Sequence, residues 1–415
     1  MAPIIRSLLD TDFYKLTMGQ LIWKLHPDVP TVFRLTNRHA KRVRLADYVL
    51  ESELRAELEH VRTLRFTDDE LAYLAGIKNG DAPMFSDGYL AFLRTLHLPP
   101  FELSVRDGQF ELSFSGKWSE ATYWEIPALA IVNELYCQSL VKDMSPRERA
   151  ELYLEGARRR DDKISLLQKH PEVTFVDFGT RRRFSSAWQD EHVVAPFVHA
   201  FSPRQFLGTS NVFLARKYGI QPMGTVAHEA EMGYFGIFYE LGVFASQQRM
   251  LRDWWSVYGY GLSVALTDTY GTDAFFRSFT AEQAREWKGL RQDSGDPIAF
   301  GEAAIRFYES HGIDPREKLI VFSDGLIVTA MLKIADHFKG RIKTAFIRIF
   351  GWGTNLTNDL GIPALSIVVK LVEANGHGTV KLSDNLAKAI GSAEEIERVK
   401  NEVGYTATLY ETPTY

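Results

Sequence analysis

The sequence is short of most features that mark a secreted, membrane-bound or nucleic-acid-binding chain. It holds one cysteine, Cys137, in 415 residues. No intrachain disulfide can form, which fits a reducing compartment. That thiol falls in the apolar stretch 131–140, where a small core residue is expected more than a nucleophile. No run approaches the roughly 18 to 20 consecutive apolar residues of a membrane helix, and the start, MAPIIRSLLDTDFYK, has no signal-peptide core. The expectation is a soluble, cytoplasmic protein without a membrane partner. Positive charge is not in excess: 48 Lys and Arg stand against 53 Asp and Glu, a net charge of −5. This argues against a broad nucleic-acid surface while allowing a local cationic cluster for a small anion. Sequence repeats and Pro-rich or Ser/Gly-rich linkers are missing too, so part boundaries must come from changes in periodicity.

What is present is a globular balance, 45% hydrophobic and 24% charged residues, on a chain long enough for two or three structural parts. Residues 10–25 and 46–76 carry helical spacing, and TVFRLTN at 31–37 is extended. In FELSVRDGQFELSFSG two alternating runs flank Asp107-Gly108, a strong hairpin signal. These features predict an N-terminal α+β domain over 1–130. Beyond it, apolar runs end in Gly-, Asp- or Ser-rich corners followed by helical stretches. VTFVDF, RQFLG, PMGTVA, LSVALTD, EWKGLRQD, LIVFSD, TAFIRIFG and ALSIVVKL are eight candidate strands. They predict an irregular parallel α/β barrel over 131–385, with Asp268, Arg291, Asp293, Asp324 and Gly351 near strand C-termini at one mouth. Residues 386–415 are expected to pack back on the N-terminal domain.

Several corners have the chemistry of a binding site, and each also has a plain structural reading. Tyr14 and Lys15 in DTDFYKLTMGQ could stack on a flat heterocycle and hold an anion, or pack in a core and be solvated. VDFGTRRRFS puts Phe178 beside Arg181, Arg182 and Arg183: a ring and guanidinium forks, or an ordinary charged face. In LGTSNVFLARKYGIQPMGTVAHE, backbone N–H groups with the Thr209 and Ser210 hydroxyls could meet an anion, and His228 follows a strand. A lone histidine is more often a structural hydrogen-bonder. Arg291 and Asp293 in LRQDSGDP would share one strand face, as an ion pair or as an anion-fixing cation beside a carboxylate for ribose hydroxyls or Mg2+. VFSDGL and FGWGTNLTND are glycine turns of the kind that cradle phosphates, though such a turn alone has no ligand specificity.

TDFYK, GTSNV, GTVAHE, RQDSGDP and FGWGTNL, taken in this order from residue 11 to KLSD near residue 384, resemble the nicotinate phosphoribosyltransferases. The resemblance implies the type II phosphoribosyltransferase fold and a homodimer with shared sites. It implies three substrates, nicotinate, 5-phosphoribosyl 1-pyrophosphate and ATP, with Mg2+ accompanying the phosphates. It implies no tightly bound organic cofactor, no dedicated metal-ligating residue and no nucleic acid. Tyr14 would reach across the dimer to sandwich the pyridine against Phe178. His228 would be the histidine that ATP phosphorylates. Thr225 and Arg291 would surround nicotinate, Asp293 would contact ribose, Asp324 would lie in the same pocket, and Gly353 with Thr354 would form the ribose-phosphate loop. Lys15 and Arg181 would steady the leaving pyrophosphate. Ser210 stands where related nicotinamide enzymes carry an aspartate, so a carboxylate substrate is not repelled there.

Competing readings are a nicotinamide or quinolinate phosphoribosyltransferase, a catalytically silent pyridine-nucleotide sensor, and a barrel lyase using Lys370 as a Schiff-base lysine. The presence of His228, Arg291 and Asp293 together speaks against the sensor.

Overall fold

The computed structural model describes residues 2–341 and 348–411. The N-terminal part begins with helix Phe13–Leu25 and strand β1 (Pro30–Asn37), followed by helices Glu51–Thr63 and Asp68–Gly76. A true capping box, Thr67 with Glu70, starts the second of these and divides the expected helical stretch in two. Strands β2 (Phe101–Arg106) and β3 (Gln109–Lys117) form the expected hairpin. Asp107 and Gly108 both take positive φ, 51° and 75°, the conformation a two-residue turn requires between right-twisted strands.

Two long helices, Glu125–Val141 and Pro146–Gln168, lead into the parallel strands β4 (Thr174–Asp177), β5 (Phe206–Thr209), β6 (Val264–Leu266), β7 (Gly289–Gln292), β8 (Leu319–Phe322) and β9 (Arg348–Trp352). Their lateral order is β5-β4-β9-β8-β7-β6. This is an irregular α/β barrel, and two of the eight expected strands depart from the pattern. PMGTVA is not a strand: residues 221–223 exchange hydrogen bonds with Thr209 at the edge of β5, and the Val226 carbonyl accepts from Arg291 on β7. Pro222 has no N–H to donate, so a regular ladder cannot continue there. ALSIVVKL contributes β10 (Ile367–Ala374), which leaves the barrel and pairs antiparallel with β1. The N-terminal sheet therefore runs β10-β1-β3-β2, with the two-residue strand His377–Gly378 at the outer edge of β10, and is built from both ends of the chain. Of TAFIRIFG, residues 344–347 lie outside the described residues.

The barrel part is thus interrupted before residue 385. The C-terminal segment packs on more than one part of the chain. Its helix, Ala393–Val403, buries Val399 and Val403 with Val243 and Ala274 from barrel-side helices and Tyr270 from the turn after β6. Arg38 of the N-terminal part donates to the Lys388 carbonyl at 3.5 Å. Cys137 is a buried free thiol pushed up to about 12 by burial, in keeping with a core residue. No helix among the described residues is long and apolar enough to cross a membrane.

Candidate active site

The C-terminal ends of β4, β7, β8 and β9 and the turns after them open into one cavity of about 430 Å³. Val368 and Lys370 of β10, Tyr14 near the start of the first helix and His228 complete its wall. Parallel strands put all their C-terminal ends on one side, so residues distant in sequence meet there. Phe178 follows β4 and is held by a hydrogen bond from its N–H to the Trp352 carbonyl on β9. Arg291 lies over the Phe178 ring at 5.9 Å and is fixed on three sides: Nε donates to Ser323 Oγ, Nη1 to the Val226 carbonyl and Nη2 to Asp293 Oδ1. Arg181 lies over the Tyr14 ring at 5.6 Å and pairs with Asp12 at 3.2 Å. The pocket thus offers two aromatic rings, each beside a guanidinium.

His228 is the first residue of helix His228–Ile237 and is 4% exposed. Its Nε2 lies 3.1 Å from Asp293 Oδ2 and 3.6 Å from Asp268 Oδ1, and its Nδ1 lies 2.9 Å from Thr269 Oγ1. These are the orienting groups of the imidazole. Glu229, its neighbour in sequence, turns away to Lys15, Trp118 and Thr122. Burial, reinforced by the Lys381 ammonium, lowers His228 to about 4 against the opposing carboxylates, so the ring is neutral near neutral pH. Enclosure opposes charge on Asp293, yet Arg291 and His228 hold its carboxyl well below the usual range. Ligand atoms of His228, Asp268 and Asp293 lie within 4.8 Å of one another, a grouping the sequence reading did not anticipate. Asp268 Oδ1 is buried without a hydrogen-bond partner, and such an oxygen suits a hard cation.

Cations gather in the same pocket. Lys370, Lys381 and Lys388 line the pocket with Arg38, Arg181 and Arg182. Lys388 reaches the Asp324 carboxylate and the Asp293 carbonyl. Lys381 lies 3.8 Å from Asp268, and burial lowers it to about 8. The turns Asp324-Gly325 and Gly353-Thr354 line the same cavity, Asp324 paired with Lys388 and the Thr354 hydroxyl accepting from Arg182 at 3.4 Å. Two aromatic rings, carboxylates and several cations around one cavity are the groups that an aromatic base and a phosphorylated sugar require.

A sequence profile of the nicotinate phosphoribosyltransferase family matches residues 173–407, and one of that family's N-terminal domain matches residues 9–133. The chain belongs to the nicotinate phosphoribosyltransferase family. It is similar to the crystal structure of the nicotinate phosphoribosyltransferase from Porphyromonas gingivalis: 34% identity, TM-score 0.85, covering 97% of this chain and 100% of that one. The similarity to the enzyme from Vibrio cholerae is 33% identity at TM-score 0.85, covering 98% and 95%.

Within this family fold, the residues singled out from sequence divide into two groups. Tyr14, Phe178, Arg181, His228, Arg291, Asp293, Asp324, Gly353 and Thr354 all line the pocket. Tyr14 does so from its own chain, whereas the resemblance implied that it crosses to a partner. It can, because the Phe13 N–H donates to the Ser210 carbonyl and an Asp12–Asn211 bridge ties the first helix to the barrel mouth. Lys15, Ser210 and Thr225 do not line this pocket. Lys15 is fully buried beneath it, paired with Glu125 at 2.8 Å and with Glu229. It cannot meet pyrophosphate. Ser210 is 2% exposed and donates to Asp12 at 2.7 Å, so it acts on the pocket through the carboxylate that holds Arg181. Thr225 faces a second, mainly apolar cavity of about 620 Å³ that shares Phe178 and Arg291 with the first. The GTSN corner is not an open anion cradle: Thr209 Oγ1 and the Ser210 N–H both donate to Asp177, and Asn211 donates to Asp10. Of the three arginines, Arg183 is excluded, being 1% exposed with its fork on Asp10 at 2.6 and 2.7 Å.

Sequence reasoning missed Lys381, Lys388, Arg38 and Thr269, and it noted Lys370 only as a Schiff-base lysine. KLSD was part of the family resemblance, so Lys381 was within reach. Arg38 carries no local signal, because its approach depends on the sheet that joins the two ends of the chain.

Proposed function

We propose that this chain transfers the phosphoribosyl group of 5-phosphoribosyl 1-pyrophosphate to the ring nitrogen of nicotinate, giving nicotinate mononucleotide and pyrophosphate in NAD biosynthesis, and couples this to ATP hydrolysis through His228. The observation that carries the reading is the joining, in one cavity, of the Tyr14 and Phe178 rings, the Arg291 guanidinium and the Asp293–His228 pair. Nicotinate stacks between the rings, its carboxylate toward Arg291. Its ring nitrogen is unprotonated near neutral pH, so no external base is required and the protein's task is to position the reactants. As the bond from the anomeric carbon to pyrophosphate breaks, positive charge grows on the sugar, and Asp293 steadies it. Arg181 and the lysines hold the departing negative charge. Mg2+ carried in with the phosphates would neutralise their oxygens, and Asp268 and Asp293 are the carboxylates to hold it. In the ATP step, an imidazole nitrogen of neutral His228 forms a bond to the γ-phosphorus as the bond to ADP breaks. Water later cleaves the phosphohistidine. A homodimer and a cytoplasmic location belong to the same reading.

The experiment is mononucleotide formation with nicotinate or nicotinamide, with and without ATP, in the wild type and His228→Ala. Product specific to nicotinate, with ATP stimulation lost in the variant, is expected. Higher kcat/KM with nicotinamide overturns the substrate choice, and no product from either base overturns the enzyme reading.

A further inference from the structure

Beneath the pocket floor lies a carboxylate that does not itself line the cavity and yet holds one aromatic and one cationic residue that do. Glu125, the first residue of helix Glu125–Val141, is 2% exposed. Its Oε2 accepts from Tyr14 Oη at 2.9 Å and pairs with Lys15 at 2.8 Å, while its Oε1 pairs with Lys370 at 3.2 Å. Tyr14 is one aromatic wall of the pocket and Lys370 one of its cations. They come from opposite ends of the chain, helix Phe13–Leu25 and strand Ile367–Ala374, and Glu125 comes from a third element.

We propose that Glu125 is a positioning residue that sets the Tyr14 ring for the base and the Lys370 ammonium for a phosphate group. The inference rests on the phosphoribosyl-transfer reading given above. The physical case rests on what Glu125 gives each partner: an acceptor for the Tyr14 hydroxyl and a paired carboxylate for the Lys370 ammonium. Tyr14 is anchored at its far end by this hydrogen bond, and a ring pinned at its hydroxyl loses the freedom to swing that would cost stacking energy on binding. Lys370 is 9% exposed, and its ammonium would pay a large desolvation cost without a paired carboxylate. Burial pushes the Lys370 ammonium down, with Glu125 opposing that shift. Lys15 completes the arrangement: it is shared with Glu229, which also accepts from Trp118 and Thr122, so Glu125 is held from behind by a buried and well-bonded neighbour.

The test is steady-state kinetics of Glu125→Gln, Tyr14→Phe and the double variant, with nicotinate and phosphoribosyl pyrophosphate varied in turn. Tyr14→Phe keeps the ring and removes its bond to Glu125. It is expected to raise KM for nicotinate on the order of tenfold, as for loss of one hydrogen bond to a charged group, with KM for phosphoribosyl pyrophosphate unchanged. Glu125→Gln is expected to raise both, because it loosens Lys370 as well. The double variant should show the nicotinate defect of a single one, the signature of two residues acting as one unit. Unchanged nicotinate KM in Tyr14→Phe, or a double variant whose nicotinate defect is the product of the two singles, overturns the proposal. If Glu125→Gln does not fold, the Tyr14→Phe result decides. Wild-type turnover separates this from failure of the functional reading, since an inactive wild type refutes the reaction itself.

Discussion

At the level of single residues, the site works by deciding which groups are charged before substrate arrives. His228 is kept neutral, as the proposed phosphoryl acceptor must be, while Asp293 beside it is kept ionised by Arg291. Lys381 is a pocket-lining group with a measurable consequence near physiological pH. Burial lowers its ammonium from 10.5 to about 8. The lysine is therefore charged below that value and neutral above it, and affinity for an anionic substrate falls as pH rises through 8. A bound phosphate would itself favour the charged form. The loss is thus expected in kcat/KM for phosphoribosyl pyrophosphate, which reports the free enzyme, and much less in kcat. Lys381→Arg, whose guanidinium does not titrate in this range, should remove the alkaline limb of the pH profile. A limb unchanged in that variant assigns it to another group.

At the level of elements, strand pairing fixes the position of the aromatic wall. Strands β4 and β9 pair with Gly351 opposite Val176 and Trp352 opposite Asp177, which brings Gly351 under the Phe178 ring. A Cβ at Gly351 would lie 2.4 Å from Phe178 Cδ2 and 3.1 Å from Ser323 Cβ. Only glycine lets the ring lie against the strand end. Gly351→Ala is therefore expected to push Phe178 into the cavity and raise KM for nicotinate by about tenfold, since a ring moved by a fraction of an ångström loses its stacking geometry. Equal increases for both substrates would point to a general disturbance of the barrel mouth. The sequence marks FGWGTNLTND as a glycine turn after a strand, whereas Gly351 lies within β9 itself, and its role as the seat of Phe178 was not legible. That role depends on β4 and β9 being neighbours although about 170 residues lie between them, and no local pattern encodes lateral order.

For the whole molecule, the decisive feature is that the N-terminal sheet is closed by a strand from near the other end of the chain. β1 is paired on one side with β3 and on the other with β10, whose Val369 and Leu371 are 1% and 0% exposed. A fragment of residues 131–415 would contain β10 without β1 and would expose an apolar strand edge. Such a fragment is expected to aggregate and to lack a cooperative thermal transition, as judged by light scattering and calorimetry. Co-expression with residues 1–130 should restore solubility. A soluble, cooperatively melting fragment would show that the two parts fold independently after all.

The sequence by itself determined the elements and their chemistry. The Asp-Gly hairpin, the alternating strands and the corners ending in Phe178, Arg291, Asp293 and Gly353 follow from short-range rules of turn conformation and side-chain periodicity, which need no partner. It could not assign Lys15 and Lys370 correctly. Both are lysines beside an aromatic or apolar run, yet one is sealed beneath the floor by Glu125 and Glu229 and the other opens into the pocket. The same holds for the strand carrying Lys370, whose apolar run reads equally well as a barrel strand or as the closing strand of another sheet. A buried strand carries no mark of which sheet it joins, and the desolvation of a charge depends on all that packs around it. Those two facts are set by long-range contacts, and only the tertiary structure supplied them.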